Sequence, residues 1–377
     1  MHKDLDNLWL PYTQMKNIEC CLKAKKTDGA LIYLDNGKVL VDSISSWWTA
    51  CHGYNNKYIV NKAKKQLDTM PHIMFGGMIH NQAIELAKRI SDLLGNNLKK
   101  IFFSDSGSVA IEVAMKIAVQ YWINNGYKNK HKFVHFYNGY HGDTSGAMSI
   151  CDPEEGMHNL FGKYLNQNYV AHLPTNSKRL IELEKLLKKK SPNLAAIVVE
   201  PLIQCAGGMK IYPVKVLNAI YKLSRKYNIL LIYDEIATGF GRTGSMFAFQ
   251  QSKSKPDIIC LGKGLTAGIM SLAITATTEK VFKSFLSSKA ERELMHGPTY
   301  MSNPMACSVA NASLDIFENK KTLERVKKIE LFFKENLIFF KNYDFVKDVR
   351  VKGAVAVIEI KQISNKRLLW LRKEYIN

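Results

Sequence analysis

Through the middle of the chain, short runs of β-branched and aromatic residues alternate with longer stretches of helical period. The runs that read as strands are 101–103, 132–136, 195–199, 229–233, 258–261 and 272–276. Between them, 108–122 puts Val109, Val113, Ile117 and Tyr121 on one helical face, and 214–227 is amphipathic in the same way. Strands alternating with helices predict an α/β fold around a mostly parallel, doubly wound sheet. The two ends read differently. Leu31–Leu34 and Val39–Val41 flank Asp35-Asn36-Gly37, a strong hairpin signal, while 322–342 has helical period and 354–360 reads as a strand. The pattern predicts a large central domain over 51–310 and a smaller α+β domain assembled from 1–50 and 311–377.

In open parallel sheets, ligands bind beyond the carboxyl ends of the strands, so candidate chemistry is sought there. After 101–103 comes Ser104-Asp105-Ser106-Gly107-Ser108, which opens a helix. Its hydroxyls, free N–H groups and helix dipole suit a phosphate, and they equally suit an ordinary N-cap. After 132–136 comes the loop Tyr137-Asn138-Gly139-Tyr140-His141-Gly142-Asp143. Glu200 and Pro201 follow 195–199. Asp234 and Glu235 follow 229–233, at the mouth of a strand that should be buried, and an acid there needs a cationic partner. After 258–261 comes Gly262-Lys263-Gly264. A lysine in a desolvated pocket has a depressed pKa and attacks carbonyls; the bland alternative is a surface turn.

Gly239-Phe240-Gly241-Arg242-Thr243-Gly244 matches the dinucleotide fingerprint by letters. Asp234 and Glu235 separate it from the strand, and no acid follows at the end of a second strand, so it reads as a Gly-rich loop beside the site. Taken together, Lys263, Asp234, Gly107 with Ser108, and Tyr140 offer an amine, a carboxylate, an anion cradle and an aromatic face. Those are the four requirements of pyridoxal 5'-phosphate, each met at the end of a different strand.

Composition narrows the remaining classes. The 377 residues are 46% apolar and 23% charged, which excludes a disordered chain. No apolar run approaches the roughly 18 residues of a membrane span, and Met1-His2-Lys3-Asp4-Leu5-Asp6 is not a signal peptide. The seven cysteines show no CxxC spacing, so a reduced, cytoplasmic chain without structural zinc is expected. A net charge of +20 invites a nucleic-acid reading, but only nine of the 53 basic residues are arginine. The longest basic run, Lys185 to Lys190, has helical spacing and reads as a solvated helix face.

The segments Asp234 to Gly244 and Asp257 to Lys263 resemble the signature of the class III pyridoxal-phosphate aminotransferases of fold type I. Leu10-Pro11-Tyr12-Thr13, Ser45-Ser46-Trp47-Trp48, Asn138 to Thr144 and His296-Gly297-Pro298-Thr299 resemble one branch of that family. That branch transfers the amino group of S-adenosylmethionine to 8-amino-7-oxononanoate in biotin biosynthesis. The resemblance implies that Lys263 bonds the cofactor aldehyde and shuttles the proton, and that Asp234 meets the pyridine nitrogen. It implies that Gly107 and Ser108 hold the phosphate, with Pro298 and Thr299 arriving from the second subunit of a homodimer. Tyr12, Trp47, Tyr140 and Gly297 would line the substrate pocket. It also implies a substrate-carboxylate arginine on a further C-terminal stretch. This sequence ends about where that stretch should begin, and Arg372, on the preceding amphipathic segment, does not take the role. The reading therefore expects an incomplete small domain. Its alternatives are another class III ω-amino-acid aminotransferase and a truncated remnant that binds cofactor or dimerises without catalysis.

Overall fold

The computed structural model describes residues 5–18, 21–95, 97–154 and 159–361. Its centre is a seven-stranded sheet. In chain order the chain first forms β1 (Ala24–Asp28), β2 (Leu31–Leu34) and β3 (Val39–Val41), a separate antiparallel sheet with the expected hairpin as its second half. Then come β4 (Leu98–Ser104), β5 (Lys132–Phe136), β6 (Tyr169–Ala171) and β7 (Leu194–Val199). A small ribbon, β8 (Ile203–Gln204) with β9 (Lys210–Ile211), precedes β10 (Leu230–Asp234), β11 (Ile258–Leu261) and β12 (Ala273–Thr278). The described chain closes with the hairpin β13 (Val346–Lys352) and β14 (Val355–Ile360).

The central order is β4-β12-β11-β10-β7-β5-β6. Adjacent strands from β11 to β6 pair in parallel, while β12 runs antiparallel to both its neighbours. β7 and β10 are buried along their whole length, as a sheet covered on both faces requires. One face is covered by the helix Gly107–Asn124, whose Ala110, Val113, Ala114 and Ile117 are fully packed. The other receives the helices Ser177–Lys190 and Val214–Lys226 through Leu183, Leu187, Leu217 and Ile220. Lys185, Lys188 and Lys189 point to solvent from the former helix, so the basic run is a solvated face.

The helix Pro304–Asn319 is buried almost all round and packs on Lys57–Thr69 and Asn81–Leu94. The division into a central domain and a smaller one from both chain ends is a proposal; its boundary after residue 310 falls inside that helix. Arg372 lies outside the described residues. Among the described residues, no helix is long and apolar enough to cross a membrane.

Candidate active site

The carboxyl ends of β4, β5, β7, β10 and β11 converge on one cavity of about 500 Å³. Its walls include Gly107, Ser108, Tyr140, Glu200, Asp234 and Lys263, and Tyr12, Trp47 and Trp48 enclose it from the N-terminal segment. Gly297, Pro298 and Thr299 do not line it. They lie on an exposed segment after β12, beside His296, whose Nδ1 is 3.3 Å from Lys116 Nζ.

Lys263 opens a helical turn directly after β11, in a left-handed conformation with φ of 46°. Among the described residues no carboxylate pairs with its Nζ; the ring of Trp48 lies beneath it, 4.8 Å from the centroid. Burial pulls the ammonium below the ordinary lysine range, against the pull of Asp234 and Glu200. Such an amine is more often neutral at working pH, which is the condition for attack on a carbonyl.

Asp234 ends β10 and is 4% exposed. One carboxylate oxygen lies 2.7 Å from His141 Nδ1 and the other accepts the Ile236 N–H at 3.0 Å. Burial alone would lower the His141 pKa, but the bond to Asp234 outweighs it and raises the pKa, with Glu200 adding to the rise. The partner of Asp234 is thus the His141 ring, whose charged form the contact favours. Glu235 is different: its carboxylate accepts from the Ala248 and Phe249 N–H groups at 2.8 and 2.7 Å, and from Thr238. It holds the Gly-rich loop in place.

The helix Gly107–Asn124 points its N-terminus into the cavity, capped by Ser106, whose Oγ accepts the Val109 N–H at 3.3 Å. Both readings of this segment coexist, a cap and a set of inward N–H groups. A Cβ at Gly107 would stand 3.0 Å from the Ile236 side chain, so only glycine lets the backbone approach here. The Tyr140 loop folds down onto this terminus. Asp143 donates its N–H to Ser108 Oγ at 3.2 Å, and a Cβ on Gly142 would meet that oxygen at 2.1 Å. Glu200 accepts from the Tyr140 and Cys205 N–H groups at 3.1 and 2.9 Å, and burial pushes its pKa up to about 7. Asp143 accepts from both the Tyr140 and Tyr12 hydroxyls. Burial, followed by the Tyr12 bond and Asp143, raises the Tyr140 phenol further from ionisation.

An amine, a buried carboxylate, an unblocked helix N-terminus and a phenol ring around one cavity fit an aldehyde, a ring nitrogen, a phosphate and a ring face. Three groups stand beyond the sequence reading. Trp48 is adjacent to Trp47, and the tandem itself was the available signal. Glu200 stands at a strand end but had no assigned role. Arg242, inside the Gly-rich loop and behind the cavity rather than in its walls, has a buried Nη2 without a hydrogen-bond partner among the described residues, and its charge opposes that of Lys263.

This fold and this site define a class of protein. The family model for aminotransferase class III matches residues 12–376, and the chain belongs to that family. Among its relatives, the adenosylmethionine-8-amino-7-oxononanoate aminotransferase of Buchnera aphidicola subsp. Schizaphis graminum is 42% identical over 97% of this chain and 86% of its own. The protein of the same name from Corynebacterium glutamicum is 41% identical over 96% of this chain and 87% of its own. A solved structure of that name, from Methanocaldococcus jannaschii, superposes with a TM-score of 0.91 at 35% identity, covering 97% of this chain and 84% of its own. The omega transaminase of Pseudomonas jessenii, solved in complex with PMP, gives a TM-score of 0.88 at 29% identity, covering 95% of this chain and 83% of its own. The chain is a class III aminotransferase.

Proposed function

We propose that this chain moves the amino group of S-adenosylmethionine to the ketone of 8-amino-7-oxononanoate, giving 7,8-diaminononanoate for biotin biosynthesis, with pyridoxal 5'-phosphate as cofactor. The observation that carries this reading is the single cavity shared by Lys263, Asp234, Ser108 and Tyr140. The substrate assignment draws on the relatives named for that reaction.

Pyridoxal phosphate, when bound, supplies an electron sink that lets a proton leave the carbon bearing the amino group. Lys263 Nζ is the amine that would bond the cofactor aldehyde and, when free, would hold and move the proton inside the cavity. Asp234, held by His141, is the carboxylate that would meet the pyridine nitrogen and favour its protonated form. Gly107 and Ser108 would hold the phosphate at the helix N-terminus. Tyr140 would cover the ring, and its hydroxyl reaches Asp143 at 3.0 Å, where the Tyr12 hydroxyl also binds. Tyr12 and Trp47, whose rings lie 6.2 Å apart, form a wall for an aliphatic chain. Arg242, with its unpaired Nη2, is the cation we assign to the substrate carboxylate.

The wall is open: Tyr12 is 57% and Trp47 61% exposed in the single chain. A second copy that delivers Gly297, Pro298 and Thr299 would close it, so the reading includes a homodimer with shared sites. It also includes a cytoplasmic location, in keeping with the unpaired thiols of Cys51, Cys151, Cys205, Cys260 and Cys307.

The test is growth of a biotin auxotroph lacking this step. Rescue by the chain, lost in Lys263→Ala, supports the reading. Soluble, cofactor-loaded protein that fails to rescue overturns the substrate assignment, and purified protein that never takes up the cofactor overturns the whole.

A further inference from the structure

Ser45, Ser46, Trp47 and Trp48 all lie in the left-handed region, with φ of 53°, 49°, 55° and 67°. None is glycine or asparagine, so each pays the steric penalty between Cβ and the following carbonyl, and a run of four must be held by its surroundings. Asp42 does the holding. Its Oδ1 accepts the Ile44 N–H at 3.0 Å, and its Oδ2 accepts the Ser46 N–H at 2.7 Å and the Tyr54 hydroxyl at 2.6 Å. Within the turn, the Trp48 N–H reaches Ile44 O at 2.9 Å and the Thr49 hydroxyl reaches Ser46 O at 2.8 Å.

The base of the turn is docked on the segment that carries Lys263. A Cβ on Gly268 would stand 3.0 Å from Thr49 Oγ1 and 3.1 Å from the Ala50 nitrogen, and Cys51 Sγ donates to Gly264 O at 3.5 Å. The turn has a direct consequence for the cavity. An extended chain would send neighbouring side chains to opposite faces, whereas here both indoles line one wall.

We propose that Asp42 is a positioning residue that keeps the Ser45–Trp48 turn left-handed and thereby seats the Trp48 indole under the Lys263 amine. This rests on the reading of Lys263 as the group that bonds the cofactor aldehyde. An indole face favours the ammonium form of a lysine. Trp48 therefore acts alongside Cys205, Asp234 and Glu200, which also favour it, and against burial and Arg242, which disfavour it.

The full chain, freed of cofactor, is mixed with pyridoxal phosphate, and the growth of the lysine–cofactor absorption band is timed across pH. The midpoint of the rate profile reports Lys263. Trp48→Leu should lower that midpoint by roughly half a unit to one unit. Asp42→Ala should lower it equally, and the double variant no further. Adding Ser46→Gly to Asp42→Ala should restore the midpoint, because glycine adopts the left-handed conformation freely and the Ser46 side chain is exposed. Should Asp42→Ala fold poorly, Asp42→Asn keeps an acceptor for Ser46 and should give a smaller shift of the same sign. A wild-type midpoint in the Asp42 variants, additive effects with Trp48→Leu, or no restoration by glycine overturns the inference. Absence of the band in the wild type would instead overturn the reading of Lys263.

Discussion

Gly142→Ala tests whether the close approach of the Tyr140 loop to the helix N-terminus builds the phosphate end of the site. Gly142 has φ of 128°, and an ideal Cβ there would lie 2.1 Å from Ser108 Oγ, 2.6 Å from its Cβ and 2.9 Å from its Cα. The Cα belongs to the first turn of the helix Gly107–Asn124, so rotating the serine side chain does not relieve the overlap. The backbone conformation costs an alanine roughly 1–3 kcal/mol, and the forced displacement adds roughly 1–3 kcal/mol. A loss of about 2–6 kcal/mol follows, large against the stability of an ordinary domain. Urea unfolding of the cofactor-free chain measures it, and equilibrium titration with pyridoxal phosphate measures what part falls on binding.

Two controls separate the terms. Gly126 also has positive φ, 88°, but a Cβ there meets nothing within 4 Å; Gly126→Ala should cost about 1 kcal/mol and leave cofactor affinity unchanged. Ser108→Gly added to Gly142→Ala removes the two side-chain atoms in the way, and should recover most of the displacement cost in the unfolding curve. If Gly142→Ala is no more destabilising than Gly126→Ala, the loop does not rest on the helix as argued.

Glu200 should make stability depend on pH. Burial raises its pKa from 4.5 to about 7, so its neutral form stabilises the fold fully below about pH 4.5, and this contribution is lost as pH rises through 7. At roughly 1.4 kcal/mol per unit the loss is about 3 kcal/mol. Glu200→Gln should therefore flatten the stability profile of the cofactor-free chain between ~pH 5 and ~pH 7.5, the remaining slope coming partly from Glu235, also raised to about 7; equal slopes by urea unfolding refute this. Arg242→Lys replaces a planar fork with a point charge, and should raise the KM for the keto acid roughly 10-fold or more with a smaller change in kcat; an unchanged KM removes Arg242 from the substrate. Co-refolding Lys263→Ala with an inactive Thr299→Asp chain should regenerate activity through one intact site per mixed dimer, and mixtures that stay inactive argue against shared sites.

The chemistry was more legible than the frame around it. Strand Ile258–Leu261 follows its apolar run to the residue, because a central strand buried on both faces has no polar interruption, and Lys132–Phe136 is matched as well although it buries His135. The direction of β12 was not legible, since periodicity does not distinguish parallel from antiparallel pairing. β1, Ala24-Lys25-Lys26-Thr27-Asp28, is an exposed edge strand whose lysines hide it from an apolar count. Pro304–Asn319 escapes the amphipathic test for the opposite reason: small residues such as Ala306, Cys307, Ala310 and Ser313 are buried on every side, so no stripe is left to detect. The left-handed turn at Ser45–Trp48 carries no glycine or asparagine to announce it; its side-chain support comes from the carboxylate of Asp42, upstream, and from Thr49.

The positions of Asp42 and Asp143 explain how distant segments form one site. Lys263, Asp234 and Ser108 are anchored by the sheet and its first helix, with Asp234 further held by His141 and Ser108 by the Asp143 N–H. Tyr12 and Trp47 lack that support, because their side chains are largely exposed and their segment contributes no strand to the seven-stranded sheet. Each is fixed instead through a carboxylate: Asp143 bonds both the Tyr12 and Tyr140 hydroxyls, and Asp42 bonds the turn that carries Trp47. Asp143 joins the pocket wall made before residue 50 to the Tyr140 loop, while Asp42 holds the turn within its own segment. In the proposed function the floor sets the reaction, and the wall, held by hydrogen-bonded carboxylates and by the packing of Trp48 and Cys51 on the core, sets which substrate reaches it.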